Sequence, residues 1–260
     1  LDSVKEFDDV FLLDGNSTDD TLEIAKEYGV PVYKQVETNE KNVEIKNFSE
    51  IRIKSLGLCK HDWVMFVDSD EFLSDDLIFE IREVLTRGPG KIDTVYNIKK
   101  KYTIEDRKFD HSFNYPNYYP RLHHKQGGAK FKSGKIVHEQ MHIPDNLHLI
   151  NLKNCVYSEV PPTYRACVKK DKYQLALMKK STFGKDSFKN RLHSLKISLK
   201  YFLRAGNIVY KVLKVYTRYG YKKSLPLGQV VRHVRVHLLM SYWRLTQVVF
   251  GKKSIENYVK

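Results

Sequence analysis

Apolar residues recur in two rhythms along this chain, short runs alternating with helical spacing first and helical spacing alone in the last third. DDVFLLD (8–14) reads as a buried strand. GNSTDD (15–20) is turn chemistry, with Ser17 or Thr18 capping a helix that ends near Tyr28-Gly29. PVYKQV (31–36) is a short second strand. In NFSEIRIKSLGLC (47–59), Asn47 with Glu50 three residues on has the form of a capping box ahead of helically spaced residues. DWVMFV (62–67) is apolar enough for a strand buried on both faces. Ser74-Asp75-Asp76 caps a helix to about Arg87, Gly88-Pro89-Gly90 stops it, and a strand rich in β-formers follows over 92–104. This order predicts an α/β fold with a mostly parallel sheet covered by helices. Ligands bind at the carboxyl ends of the strands in such sheets. Asp14 and Asp68 both fall at such ends, so both are expected to face one crevice.

Beyond residue 160 the spacing is helical over Lys169–Lys180, Ser187–Arg204 and Leu225–Phe250. Leu192, Leu195, Leu199 and Phe202 form one stripe; Val231, Val234, Leu238, Tyr242, Leu245 and Val249 form another. The expected division is therefore residues 1–160 and residues 161–260. Charge sharpens it. The net +14 hides 22 Lys and Arg against 28 Asp and Glu in residues 1–164, and 23 against 3 (Asp171, Asp186, Glu256) afterwards. A basic block of that kind implies an anionic partner: a membrane surface, nucleic acid or a polyanionic substrate. Tyr and Trp interleaved with Lys and Arg also fit helices lying on an anionic membrane. No run of about 18 uncharged apolar residues is present to span a bilayer. The longest candidate, VHLLMSYW (236–243), sits between Arg235 and Arg244. Cys59, Cys155 and Cys167 are an odd number without a close pair, which fits neither a disulfide framework nor a CxxC metal site.

The strand at 62–67 runs into Asp68, Ser69, Asp70 and Glu71. Three carboxylates within four residues repel one another and need an offset. A polar turn opening the next helix is one reading. The other is a divalent cation with a phosphate, since Mg²⁺ and Mn²⁺ take oxygen ligands, often one or two carboxylates plus substrate phosphates. The motif alone leaves both open. The absence of a GxGxxG or P-loop segment argues against a dehydrogenase or a nucleotide triphosphatase.

LLDGNSTDDT (12–21) resembles the V-D-x-x-S-T-D-x-T segment of family 2 glycosyltransferases. The spacing from Arg52 to DWVMFVDSDE (62–71) is similar to their R-N-x-A-L…D-W-(apolar)-D-x-D-E arrangement, with Ile53 in place of the Asn. FKSGKIVHEQM (131–141) resembles the F-x-G-x-V-H-E segment of one branch, which includes lipopolysaccharide-core glucosyltransferase-like enzymes and some peptide glycosyltransferases. The resemblance implies a GT-A fold, Rossmann-like, followed here by the basic helical region. It implies a hexosyltransferase-like enzyme moving a sugar from a nucleotide diphosphate sugar, inverting and dependent on Mn²⁺ or Mg²⁺, to a glycolipid or cell-envelope saccharide. Its expected place is cytoplasmic, peripheral on the inner face of the cell membrane.

Carried over by position, Asp14 contacts the nucleobase or holds its loop, and Arg52 faces the diphosphate. Asp68 meets the ribose or a metal-bound water, and Asp70 ligates the metal. Glu139 is the candidate general base, with Glu71 as its rival. His138 is a ligand, an orienter or a strand histidine, while His123 and His124, near Arg121, either touch phosphate or lie in a turn. Peptide or protein acceptors are one alternative, and a nucleic-acid-binding protein on a degenerate scaffold is another. No recognisable RNA- or DNA-binding motif supports the latter, so no nucleic acid partner is expected. The family opens with a P-x-Y-N-E-like strand and a helix, whereas this chain begins at LDSVKEFDD, which resembles the end of that helix. The expectation is an N-terminally incomplete domain whose sheet has unpaired edges where its middle should be.

Overall fold

The computed structural model describes every residue except 46, 88–91, 132–140, 169–170, 173–174, 176–187 and 251–260. The chain forms two compact units, Leu1–Lys100 with Pro116–Ser158, and Lys101–Tyr115 with Glu159–Lys260.

In the first unit, β1 (Leu12–Asp14) and β2 (Val32–Lys34) pair in parallel across α1 (Thr21–Glu27). The helix starts later than the turn chemistry suggested. Ser17 and Thr18 are occupied by Asp14 and Asn42, so Asp20 takes the N-cap position. Asn47 does cap α2 (Phe48–Leu58), accepting from the backbone N–H groups of Ser49 and Glu50, while its Nδ2 donates to Glu50 Oε1 at 2.7 Å. Ser74 caps α3 (Asp75–Thr86) by accepting from Leu77 N at 3.2 Å, with Asp75 and Asp76 in the first turn, where the helix dipole favours them.

The main sheet contains β3 (Trp63–Met65), β4 (Glu71–Leu73), β5 (Thr94–Ile104), β6 (Arg107–Phe109), β7 (Tyr118–His124) and β10 (His148–Glu159). Its order is β3-β7-β5-β10-β4, with β6 on the far end of β5. β8 (Lys130–Phe131) and β9 (Met141–His142) form a separate antiparallel pair. The fold is α/β as expected, but the sheet is not mostly parallel: β3–β7, β5–β7, β5–β6 and β4–β10 all run antiparallel. A parallel pair needs a crossover of a dozen or more residues. No helix separates β5, β6 and β7, so the chain turns at Glu105 (φ +53°) and both β6 and β7 fold back antiparallel onto β5.

Helix α3 buries Leu77 and Ile81, one turn apart, against Leu73, Tyr96, Ile98, Leu122, Leu152 and Val156. Each such side chain contributes about 1.5–3 kcal/mol through removal from water. His123 is 1% exposed, its ring stacks on Phe66 at 6.0 Å, and its Nδ1 is buried without a hydrogen-bond partner among the described residues.

The second unit is built on an antiparallel hairpin of α4 (Phe188–Tyr219) and α5 (Leu227–Phe250). Gly220, at φ +80°, ends α4 by donating its N–H to Tyr216 O at 3.0 Å. The seam between the helices is small and polar. Ser194 Oγ donates to Gln247 Oε1 at 2.7 Å and Ser198 Oγ to Ser241 O at 2.8 Å. Ile208, Val212 and Val230 supply an apolar cluster near the hairpin's closed end. Asp171 is pinned to α5 by Arg232, which donates from Nε and Nη2 at 2.8 and 2.6 Å. Leu192, Leu195, Leu199 and Phe202 are all exposed, as are Val231, Leu238, Tyr242, Leu245 and Val249.

Two stability measurements check this packing. Leu77→Ala should lower the unfolding free energy in urea by about 2–5 kcal/mol, the usual range for a fully buried leucine. Burial pushes the His123 imidazole from its ordinary 6.5 down to about 4. Between those values the unfolded chain takes up a proton that the folded chain does not, so stability falls as pH drops. For one such group the loss between pH about 7.5 and about 5 is about 2 kcal/mol, and His123→Gln should remove that share of the pH dependence.

Candidate active site

The strand end at Asp68 becomes a tight turn. Glu71 N donates to Asp68 O at 2.9 Å, and the Glu71 carboxylate reaches back to accept from Asp68 N at 3.1 Å. The three neighbouring carboxylates thereby diverge. Glu71 points inward with no side-chain exposure, Asp68 stays 36% exposed, and Asp70 lies partly exposed on the turn between them.

Cations from three other elements offset the repulsion. Arg121 of β7 donates to Phe66 O at 3.1 Å, Glu71 Oε1 at 2.8 Å and Asp68 Oδ2 at 3.4 Å. Lys100 of β5 pairs with Glu71 at 2.5 Å. Arg52 of α2 donates to Asp68 Oδ1, and its guanidinium lies 5.0 Å from the centre of the Phe66 ring. The result is a chain of alternating charge: Arg52, Asp68, Arg121, Glu71, Lys100. Burial alone would raise the Asp68 carboxyl, but the guanidiniums of Arg121 and Arg52 and the Lys100 ammonium outweigh it and hold it below its usual range. Burial likewise would lower Lys100, and the adjoining Glu71 carboxylate raises it instead. Asp68 is therefore ionised at neutral pH.

A local irregularity aims Arg121. Tyr96 pairs with Leu122 but Asn97 pairs with Pro120, so Arg121 is the extra residue of a β-bulge. Pro120 has no N–H to give a ladder, and prolines inside sheets sit at such bulges. Bulges re-aim side chains beside functional sites. Lys100 shares the β5 face of Tyr96 and Ile98, so its stem follows the core while its ammonium reaches Glu71.

Asp14 is 7% exposed, and its oxygens accept from Ser17 N at 2.9 Å and Ser17 Oγ at 2.5 Å. It holds the loop after β1. Asn16, at φ +60°, ties that loop to the carbonyls of Thr38 and Glu40 at 2.9 and 2.7 Å, and Val43 N donates to Gly15 O. A Cβ on Gly15 would lie 2.6 Å from Val43 O, so the approach needs glycine.

Of the residues singled out by sequence, Arg52 and Asp68 are in direct contact and Asp70 follows on the same turn. His123 is packed into the interior, and His124 Nδ1 accepts from Gln126 N at 3.2 Å, so both serve the local structure. Glu139 and His138 lie outside the described residues. Sequence reading missed Lys100 and gave Arg121 only a passing place. Their signals were present: a lysine in phase with Tyr96 and Ile98 on a strand, and an arginine following an in-strand proline.

Among the described residues, no group of three His, Cys, Asp or Glu side chains is placed to hold a metal by protein donors alone. Asp70, with Asp68 two residues earlier, instead fits a site of one or two carboxylates that substrate phosphates and water complete, the usual Mg²⁺ arrangement.

A family description, glycosyl transferase family 2, matches residues 1–137. Over 100 residues the chain is 37% identical to an uncharacterized glycosyltransferase of Rickettsia prowazekii and 36% identical to one of Rickettsia typhi. An uncharacterized glycosyltransferase of Rickettsia conorii is 35% identical over 100 residues. The aligned stretch covers 38% of this chain and 32% of the first two relatives, so the chain spans about a third of the length of the curated relatives it matches. With more than half of its residues inside the family match, the chain belongs to glycosyl transferase family 2 and shares that family's GT-A fold class.

Proposed function

We propose that this protein transfers a sugar, with inversion, from a nucleotide diphosphate sugar to a glycolipid or cell-envelope saccharide at the inner face of the cell membrane. Within the family, the V-H-E segment allies it with the lipopolysaccharide-core glucosyltransferase-like branch. The observation that carries the reading is the Arg52–Asp68–Arg121 arrangement at the carboxyl end of β3. An ionised carboxylate held between two guanidiniums offers a fixed acceptor for the donor's ribose hydroxyls. Arg52, at the partly exposed end of that chain, presents a planar cation to the diphosphate.

Asp70, with Asp68 beside it, would hold Mn²⁺ or Mg²⁺. A divalent cation there supplies neutralisation of the charge that builds on the departing nucleoside diphosphate. Asp14 fixes the loop that flanks the nucleobase. The acceptor hydroxyl attacks the anomeric carbon, its proton passes to a carboxylate base, and the nucleoside diphosphate leaves with the bonding electrons. Glu71 is unsuited to be that base, because it is buried and already accepts from Arg121, Lys100 and the Asp68 N–H. The base in this reading is Glu139.

Calorimetry tests the metal assignment. Nucleoside diphosphate should bind at least about tenfold more tightly with Mn²⁺ than with chelator, and Asp70→Asn should abolish the difference, as expected when phosphates complete the metal's coordination. Metal-independent binding unaffected by Asp70→Asn would remove the metal from the account. For the base, Glu139→Gln should preserve donor affinity while lowering transfer by about a hundredfold or more. Turnover close to that of the unaltered enzyme would place the base elsewhere.

A further inference from the structure

Around α4 the side chains divide into three sectors at about 100° per residue. Ser194, Ser198, Ala205, Ile208 and Val212 are buried along the seam with α5. Next to them, Leu192, Leu195, Leu199, Phe202, Leu203 and Leu213 are 44–62% exposed. Beyond these lie Lys196, Lys200, Arg204, Lys211 and Lys214, all exposed. The last two sectors meet in a shallow depression lined by Lys196, Leu199, Lys200, Leu203, Arg204 and Asn207. Neither α4 nor α5 contains an Asp or Glu.

Charge distinguishes the two helices. The exposed apolar residues of α5, including Leu238, Tyr242 and Leu245, have no exposed lysine or arginine on their own helix. Arg232 is paired with Asp171, and Arg235 and Arg244 are partly buried. Among the described residues, only α4 joins an exposed aliphatic stripe to an exposed basic one.

We propose that the outer face of α4 is a docking surface for an anionic lipid bilayer, with the helix lying in the interface plane. Its leucines and Phe202 enter the acyl boundary while the lysines and Arg204 meet the headgroups. This arrangement is the signature of interfacial helices. No helix among the described residues is long and apolar enough to cross a membrane. A second copy docked through the same face is a poor occupant, because it would bring two cationic rows together on helices that carry no carboxylate to answer them. Nucleic acid also fits poorly: single strands are gripped by aromatic stacking, and α4 offers mainly aliphatic side chains.

This inference deepens the membrane-face localisation proposed above, and the experiment separates the two. The protein is floated with vesicles of phosphatidylcholine, alone or with phosphatidylglycerol, at low and high salt. It should bind only the anionic vesicles, and high salt should weaken binding. The double variant Lys196→Glu with Lys200→Glu should reduce affinity by about thirtyfold or more, from about fivefold per basic residue at an anionic surface. Leu199→Gln with Phe202→Gln should also weaken binding, whereas Leu238→Gln with Leu245→Gln should not. Circular dichroism confirms that each pair keeps its helices, and Lys196→Gln with Lys200→Gln replaces any charge reversal that unfolds. Anionic-vesicle binding that survives the α4 variants would overturn the α4 assignment and leave the localisation standing. Absence of binding to any vesicle would remove both, as would salt-sensitive binding to RNA or duplex DNA without vesicle binding.

Discussion

Glu71 places its carboxylate where no solvent reaches it, and a buried carboxylate is tolerable only with well-placed donors around it. Three elements supply them. Arg121 comes from β7, the Lys100 ammonium from β5, and the backbone N–H of Asp68 from the turn itself. Removing one partner from such a cluster typically costs about 3–5 kcal/mol, because the remaining charge is stranded. The same Arg121 guanidinium also binds Phe66 O and Asp68. The position of the exposed carboxylate is thus fixed by the needs of the buried one, and Arg52 is in turn oriented by Asp68 and the Phe66 ring.

The second unit follows a different logic. Serine, alanine and glutamine on the α4–α5 seam allow close approach and exchange hydrogen bonds, and only the closed end carries an aliphatic cluster. Leucines that would ordinarily face inward are left on the outside. A hairpin assembled this way draws less of its stability from apolar burial than the first unit does from Leu77 and Ile81.

Features set by neighbours in sequence were the legible ones. The caps at Asn47 and Ser74 involve partners two or three residues away, and the DSDE cluster announced itself by local repulsion. What neutralises that cluster was hidden, since Arg121 lies 50 positions from Glu71 and its aim depends on a bulge. The cap expected at Thr18 was displaced for the same reason, by Asn42 from 24 positions away, while Ser17 is held by the loop anchor Asp14 three positions before it. Alternating strands and helices revealed the α/β class, but not strand direction, because α3 links β4 to β5 and these are not sheet neighbours. Periodicity found the apolar stripes of α4 and α5. It could not say which side each helix turns to the other, because the seam away from the closed end uses serine and glutamine, which hydropathy scores as polar.

The one-residue shift in register at Arg121 ties the chemistry of the site to the length of a strand. Sheets tolerate exchange of side chains more readily than insertion or deletion, since a slip of one residue carries every later side chain to the opposite face. Losing a residue between Tyr118 and Leu122 would restore a regular ladder and take the guanidinium away from two carboxylates at once. Divergence of this chain can therefore proceed through substitutions at exposed positions remote from the site, while the count of residues along β7 stays under a geometric constraint that no single replacement relieves.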